Sequence, residues 1–386
     1  MNLMTRLAGM LGYERRTGSP SWLGMSSALG AGPPVNERAA ENLAAVAACV
    51  GAISDALAMA PANIYRRTGS ARVEVADHPV GQLIRGGPNV HQTWPDLLQS
   101  LMASTLLSGN GLIEIERDGG GAISGLRFVP WSWCSVMLAP SGRLVYDVSE
   151  QTGLYGQSGR VRRLLADDVI HLRDRSDDGI IGRSRLSRSA ETVASALQVS
   201  EFAKRFLHNG ALPAGAFTVE GKMGEDQQAR LRASMIEVYQ GAANAGKPMI
   251  LEGGTKYEPF SLTPEDTELL GSRRFAAEEI FRLFGVPPAI AGDLSHGTFT
   301  NAETAGRWFA QFTLGPWARK VEAVMSRSLF PAGSGLEFEL DLSSLLRGDP
   351  ETRWNTHKIA IDMGILDPDE VREIEGFNPR GTRGFA

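Results

Sequence analysis

Between residues 186 and 330 the sequence strings together three long helical stretches, and one of the two joints between them carries an insert. The first, residues 186–208, sets Val193, Leu197 and Phe202 near Phe206 on one side, and Asn209-Gly210 supplies a C-terminal cap. The second opens on Thr263-Pro264, an N-cap followed by a first-turn proline, and runs to Phe284, about 30 Å at 1.5 Å per residue. Gly285 and Pro287-Pro288 end it. A short loop, residues 292–300, leads to Thr300-Asn301-Ala302-Glu303, a capping box, and to a third helix reaching about Phe330, in which Pro316 predicts a kink. The insert, residues 211–262, reads as a small α/β unit with strand 216–219, helix 225–240 and strands 249–252 and 256–260. Helices that flank such an insert can stand side by side as a stalk with the insert at its tip. That plan constrains the fold more than any single element.

The rest of the chain is α+β. Residues 1–36 are rich in Gly, Ser and Pro, end near Gly32-Pro33-Pro34, and read as a mobile arm. Asn36 can cap a helix through Leu43, Val46, Val50 and Ile53 that Pro61 stops. Short strands at 63–65 and 73–75 follow, then a turn at Asp77-His78-Pro79 and a helix over 95–107 with Pro95 in its first turn. Residues 112–117 alternate, and Gly119-Gly120-Gly121 turns them back into 123–129 as a hairpin. Further strands carry the chain to 169–172. Residues 336–340 alternate as a strand, and a compact helical tail runs from Pro350.

Composition narrows the function. A chain of 386 residues with net charge -5 and 42% hydrophobic residues buries a substantial core, and its acidic balance argues against bulk-charge binding of nucleic acid. The most apolar stretch, residues 43–53, is about half of what a membrane span needs. The N-terminus lacks the form of a secretory signal, so no membrane partner is expected. Cys49 and Cys134, both in apolar runs, read as small buried hydrophobes.

Enzymatic motifs fail on inspection. Residues 241–247 satisfy G-x-x-x-x-G-K, but Pro248 stands where a phosphate loop needs Ser or Thr, and the segment runs from helix to strand rather than strand to helix. No G-x-S-x-G elbow occurs. Asp167, Asp168, His171, Asp174, Asp177 and Asp178 form the densest carboxylate–imidazole cluster, and two-metal nucleases use such residues. Arg173, Arg175, Arg183, Arg185 and Arg188 interleave with them, which favours an ion-pair network. Asp168, Arg173, Asp177 and Arg185 are candidates for pairing between subunits. A metal-dependent DNA-processing enzyme is the competing reading, and a capsid or adaptor subunit another. No cofactor is expected.

Several local signals, in order, resemble the portal proteins of tailed phages, in particular the short portals of lambdoid-type prophages and gene-transfer particles. They include Asp77-His78-Pro79 with Pro88-Asn89, then 107–114 around Gly109-Asn110, Val169-Ile170-His171-Leu172-Arg173, and 179–186 around Gly182. Further on come 206–215, Asn244-Ala245-Gly246-Lys247, Leu251-Glu252-Gly253-Gly254 and Phe284-Gly285-Val286-Pro287-Pro288. Phe299-Thr300-Asn301-Ala302-Glu303, Leu345-Leu346-Arg347-Gly348-Asp349 and Pro368-Asp369-Glu370-Val371-Arg372 complete the set. Asp369 replaces the family's usual Asn at a helix start where either caps well.

The resemblance implies a wing at residues 37–185, stem helices at 186–210 and 263–291, a clip at 211–262 and a tunnel loop at 292–300. It also implies a long kinked helix with a wing strand at 301–349 and a short helical crown at 350–386. It implies a twelve-subunit ring at one capsid vertex of the virion, assembled in the host bacterial cytoplasm and without enzymatic activity. The ring would admit and release double-stranded DNA and contact the major capsid protein and scaffold. It would dock the terminase large subunit and later the adaptor and tail proteins. In the clip, Leu231, Met235, Val238 and Tyr239 share a helix face that either meets neighbouring clips or packs under its own strands, and Lys247 lies in the same unit. The tunnel loop Asp293, Leu294, Ser295, His296, Gly297, Thr298 and Phe299 holds no Lys or Arg. His296 or Phe299 would mark the narrowest point, unless Phe299 packs beneath the loop. Twelve subunits carry a net charge of about −60, a wall that repels DNA rather than gripping it.

Overall fold

The computed structural model describes residues 37–69, 71–150, 161–208, 215–218, 224, 226, 256–259, 264–294, 299–343, 350–375, 377, 378 and 380. The expected arm, almost all of the clip helix 225–240, the strand 249–252 and loop residues 295–298 lie outside the described residues.

After α1 (Glu37–Glu41), α2 (Ala44–Ala58) buries Val46, Cys49, Val50, Ile53 and Leu57 at helical spacing. Ser54 on the same face returns its hydroxyl to the Val50 carbonyl at 2.7 Å, so that hydroxyl is not stranded in the core. The strands β1 (Ala62–Thr68) and β2 (Ala71–Glu74) pair antiparallel. His78 opens α3 (Pro79–Gly86) by accepting the Val80 N–H on Nδ1 at 3.2 Å. Helix α4 (Trp94–Ser108) carries a Thr93/Asp96 capping box and Pro95 in its first turn. Its Leu97, Leu98, Leu101, Met102 and Leu106 are buried as it packs on α2, each contributing roughly 1.5–3 kcal/mol.

The chain then builds β3 (Asn110–Arg117), β4 (Ile123–Val129), β5 (Cys134–Leu138), β6 (Leu144–Ser149), β7 (Val161–Leu165) and β8 (Val169–Arg173). Strand β3 is central in the antiparallel order β4-β3-β8, while β5, β6 and β7 form a separate sheet. Side-chain alternation makes β3 a partition between two cores. Ile113 and Ile115 join the large core of α2 and α4. Leu112 joins Val129, Tyr146, Val148 and Val169 in a smaller one.

The helix expected over 186–208 is broken: α5 (Arg185–Arg188) ends at Ser189 (φ −117°, ψ 40°), and α6 (Ala190–His208) starts afresh. Ser184 caps the short helix by accepting the Ser187 N–H at 3.0 Å, and the departure lies in the backbone of Ser189. The strands β9 (Gly215–Thr218) and β10 (Lys256–Pro259) pair antiparallel within the insert, and α7 (Pro264–Phe284) returns to pack along α6. The next helix, α8 (Phe299–Trp308), begins one residue ahead of the expected cap, so Thr300 sits inside it. Ahead of Pro316, Phe309–Leu314 adopts π-helical register before α9 (Gly315–Leu329). Pro316 has no N–H for the Phe312 carbonyl, and a wider turn absorbs that missing bond.

Strand β11 (Leu336–Leu340) crosses back to pair with β1, giving the order β11-β1-β2, and α9 covers it. Ser326 and Glu322 of α9 accept the Phe338 and Leu340 N–H groups at 2.9 and 3.1 Å. The chain ends in α10 (Pro350–Asp362) and α11 (Pro368–Ile374).

A close backbone approach joins the end of α4 to the loop before α5. Gly109, left-handed at φ 87°, closes α4. A Cβ on Gly182 would stand 1.9 Å from the Gly109 carbonyl oxygen, and one on Gly109 would stand 2.5 Å from the Ser184 nitrogen. Only two glycines fit there. Gly182→Ala should therefore lower the unfolding free energy by about 3 kcal/mol or more in urea titrations. Gly119→Ala, whose Cβ would meet nothing within 4 Å, should change it by less than about 0.5 kcal/mol.

Candidate functional site

The carboxylate–imidazole cluster singled out in the sequence sits where the sheet, the paired helices and the long helix converge. Asn110, buried at the start of β3, locks the seam beside the two glycines. Its Oδ1 accepts the Gly182 N–H at 2.7 Å, and its Nδ2 donates to the Gly182 carbonyl at 2.9 Å. The same Oδ1 lies 3.0 Å from His171 Nε2, and Tyr146 Oη lies 3.1 Å from His171 Nδ1. With Nε2 donating to the amide oxygen and the Tyr146 hydroxyl donating to Nδ1, the ring is neutral. Trp131 stacks on it with centroids 5.2 Å apart. Burial, with Arg173 assisting, pushes the imidazole down to about 3.

Beyond β8, Asp174 is buried and accepts Arg185 Nε at 3.4 Å and Arg188 Nη2 at 3.1 Å. Arg185 Nη1 donates to the carbonyls of Leu283 and Phe284 at 3.3 and 2.8 Å, capping the negative end of α7 with a cation. Its guanidinium lies 5.4 Å from the ring of Trp317 on α9. One side chain thus ties α5, α7 and α9 together. Asp168 pairs with Arg117 at 3.5 Å, and Asp177 with Arg183 at 3.1 Å. Arg173 donates to the carbonyls of Gly179 and Ile180 at 2.6 and 3.2 Å. Asp178 accepts the Ile180 and Ile181 N–H groups at 2.7 and 2.8 Å. The four candidates for pairing between subunits therefore all have partners inside one chain. Among the described residues no three His, Cys, Asp or Glu side chains gather as a metal site would require.

A second charged network lies between the two small sheets. Glu114 accepts Arg127 at 2.5 Å and Arg162 at 2.7 Å, and Glu150 accepts Arg127 at 3.1 Å and Arg162 at 3.0 Å. Burial raises the Glu114 carboxyl while Arg127 opposes the rise. Removing one member leaves a buried charge unpaired, whereas the closed set of four is self-consistent. Burial pushes the Cys49 and Cys134 thiols up to about 12, so neither is a reactive thiolate.

At the loop after α7, the Asp293 N–H donates to the Pro288 carbonyl at 2.8 Å, Leu294 is exposed, and Phe299 begins α8. Ser295, His296, Gly297 and Thr298 lie outside the described residues, as do Leu231, Met235, Val238, Tyr239 and Lys247.

A family model described as phage portal protein matches residues 44–376. The chain belongs to the phage portal protein family. It is 28% identical over 374 residues to a probable portal protein of Streptomyces phage phiC31, covering 93% of this chain and 80% of that protein. It is 24% identical over 352 residues to the portal protein of Enterobacteria phage HK97, covering 89% and 81%. Among solved structures it is similar to a chain in the neck of a native gene transfer agent particle computed with C12 symmetry. There the TM-score is 0.56 at 26% identity, with 94% of this chain and 100% of that one covered.

In this portal subunit the sequence singled out the right stretches but missed their contacts. Gly109-Asn110 and Gly182 each belonged to a quoted segment, yet nothing local says that one packs on the other across 72 residues. The Glu114–Arg127 pair was hidden too, because counting outward from the glycine turn sets Glu114 opposite Leu126, and a bulge between Glu116 and Arg117 shifts the register by one to bring Arg127 there. Lys320 and Trp317 gave no signal beyond helical spacing.

The neutral His171 generates a pH dependence. Its folded value lies below the unfolded value of about 6.5, so between those limits the unfolded chain binds the extra proton and acid favours unfolding. Stability should fall by about 1.4 kcal/mol per pH unit on this account as pH drops below about 6.5. The difference between wild type and His171→Gln in urea midpoints across pH 4–7 reads that slope directly.

Proposed function

We propose that this portal protein assembles as a twelve-subunit ring at one capsid vertex of the virion and forms the channel for DNA packaging and ejection, with no catalytic step of its own. The observation that carries this reading is the end-to-end likeness to a neck subunit in a particle of C12 symmetry. The packing of α6 along α7, with the β9–β10 pair in the insert between them, supports it. On this reading residues 37–185 are the wing, α6 and α7 the stem, 211–262 the clip, 292–300 the tunnel loop and 350–386 the crown. The terminase large subunit and then adaptor and tail proteins dock at the clip, and the wing meets the major capsid protein and scaffold.

The crown region supports assembly on independent grounds. Ile359, Met363 and Ile365 are more than half exposed, and among the described residues Val371 is the buried apolar side chain of these helices. A helix pair that leaves its apolar side chains uncovered in one chain is suited to contact with others.

Negative-stain images of the purified full chain should show rings with a central hole, and averaged top views should resolve twelve units. Monodisperse monomers at micromolar concentration would overturn the proposal. Deleting residues 294–298 should leave ring formation intact and lower DNA retention in filled heads. Unchanged retention would remove the loop from the channel lining.

A further inference from the structure

The joint between α7 and α9 encloses a cleft of about 130 Å³ that the channel reading does not use. Its floor is Trp317 and Phe284, and its walls include Phe312 and Thr313 of the π-helical turn, whose wider bore opens the space. Arg185 and Lys320 line it, with Lys320 Nζ 5.0 Å from the Trp317 ring. Arg185 gives Nη1 to two carbonyls and Nε to Asp174, which leaves Nη2 without an acceptor among the described residues. Lys320 makes one long bond, 3.4 Å, to the Arg173 carbonyl. The indole Nε1 of Trp317, a residue 3% exposed, has no hydrogen-bond partner among the described residues. Three cations, Arg185, Arg188 and Lys320, thus share the field of one buried carboxylate, Asp174, and burial with their mutual repulsion lowers the Lys320 ammonium. Three cations against one carboxylate leave the site with an excess of positive charge among the described residues.

We infer that this cleft receives a carboxylate side chain from a second copy of the chain. The inference rests on the proposed ring. A space of this size takes one carboxylate rather than a run of phosphates. A nucleic-acid track needs a stripe of cations, whereas the mouth here carries aromatic residues. Trp308 and Phe312 stand 57% and 56% exposed with their rings 5.3 Å apart, the aromatic composition of a protein interface. Charge complementarity points the same way, because 44 Asp and Glu against 39 Lys and Arg give a neighbouring copy an excess of acidic side chains to offer.

The test uses rings of full-length chain assembled from equal parts of light and heavy-isotope protein, treated with a zero-length carbodiimide that joins an amine to a carboxylate in contact with it. Mass spectrometry should find the Lys320 peptide joined to an Asp or Glu peptide of the other isotope. Rings that form without such a link would overturn the inference and leave the ring reading standing, while absence of rings would overturn both. Amine acetylation of Lys320 supplies a second arm. If Lys320 in the ring becomes protected only on adding inorganic phosphate or duplex DNA, the cleft is a phosphate site and the inference fails. Lys320→Glu should raise the concentration for half-assembly by about tenfold or more at an unchanged monomer melting temperature, and Lys320→Arg should restore it. Assembly of Lys320→Glu at the wild-type concentration would count against the inference.

Discussion

The contact between Gly109 and Gly182, locked by the side chain of Asn110, is the constraint on which the rest of the architecture depends. It fixes the end of α4 and the first residue of β3 against the loop that launches α5. Whatever α5 holds is thereby held in register with the sheet. Asn110 hydrogen-bonds both backbone groups of Gly182, and it also orients His171 and through it Tyr146. A local requirement for two residues without Cβ thus becomes a long-range one. The loop over 174–184 cannot shift without breaking buried hydrogen bonds, each of which leaves an unsatisfied group in a dry site.

From that anchor, Arg185 carries the constraint outward. A guanidinium suits the task because its planar fork engages Asp174 on one edge and the last carbonyls of α7 on another, while its face meets Trp317. A lysine at the same place would supply the charge without the geometry. The consequence is that the start of one helix of the pair, the end of the other and the long helix behind them meet at one buried carboxylate. Under the proposed assembly, this is where force on the stem passes into the body of the subunit.

How much of this was legible follows from the range of each interaction. Helix ends were readable because their signals are local: Pro95 and Pro264 in first turns, and Gly285 after Phe284, all act within a few residues. The hairpin was readable from three glycines, but its Glu114–Arg127 pair was not, since a bulge between Glu116 and Arg117 moves the register by one. The break at Ser189 was not readable either, since helical periodicity continues through it. The π-helical turn was half visible, for Pro316 announced a disturbance, but proline alone does not choose how the hydrogen-bond ladder rearranges. Packing made that choice: Thr313 gives its hydroxyl to the Gly285 carbonyl, and Phe309, Ala310 and Leu314 stay buried through the irregular register. The cluster around Asp174 was visible as composition and invisible as geometry, since alternating charges in a sequence say nothing about which pairs close.

The π-helical turn and the seam are two answers to one problem. Buried Phe309, Thr313, Trp317, Val321, Met325 and Leu329 repeat every four residues, and in a straight α-helix each such step turns by about 40°, which would carry Phe309 and Leu329 to opposite sides. One widened turn resets that phase, so that Phe309 and Leu314 face the core beside Phe284 while Trp317, Val321 and Met325 continue the same buried stripe over β11. The widened bore also leaves room beside Thr313 that close-packed α-helix would fill. That room lies against Arg185, the residue already committed to holding α7, so the space and the excess of positive charge lie together. Any group that fills the cleft therefore touches the end of α7, the turn of the long helix and the buried carboxylate at once. Occupancy there must bear on the rigidity of all three.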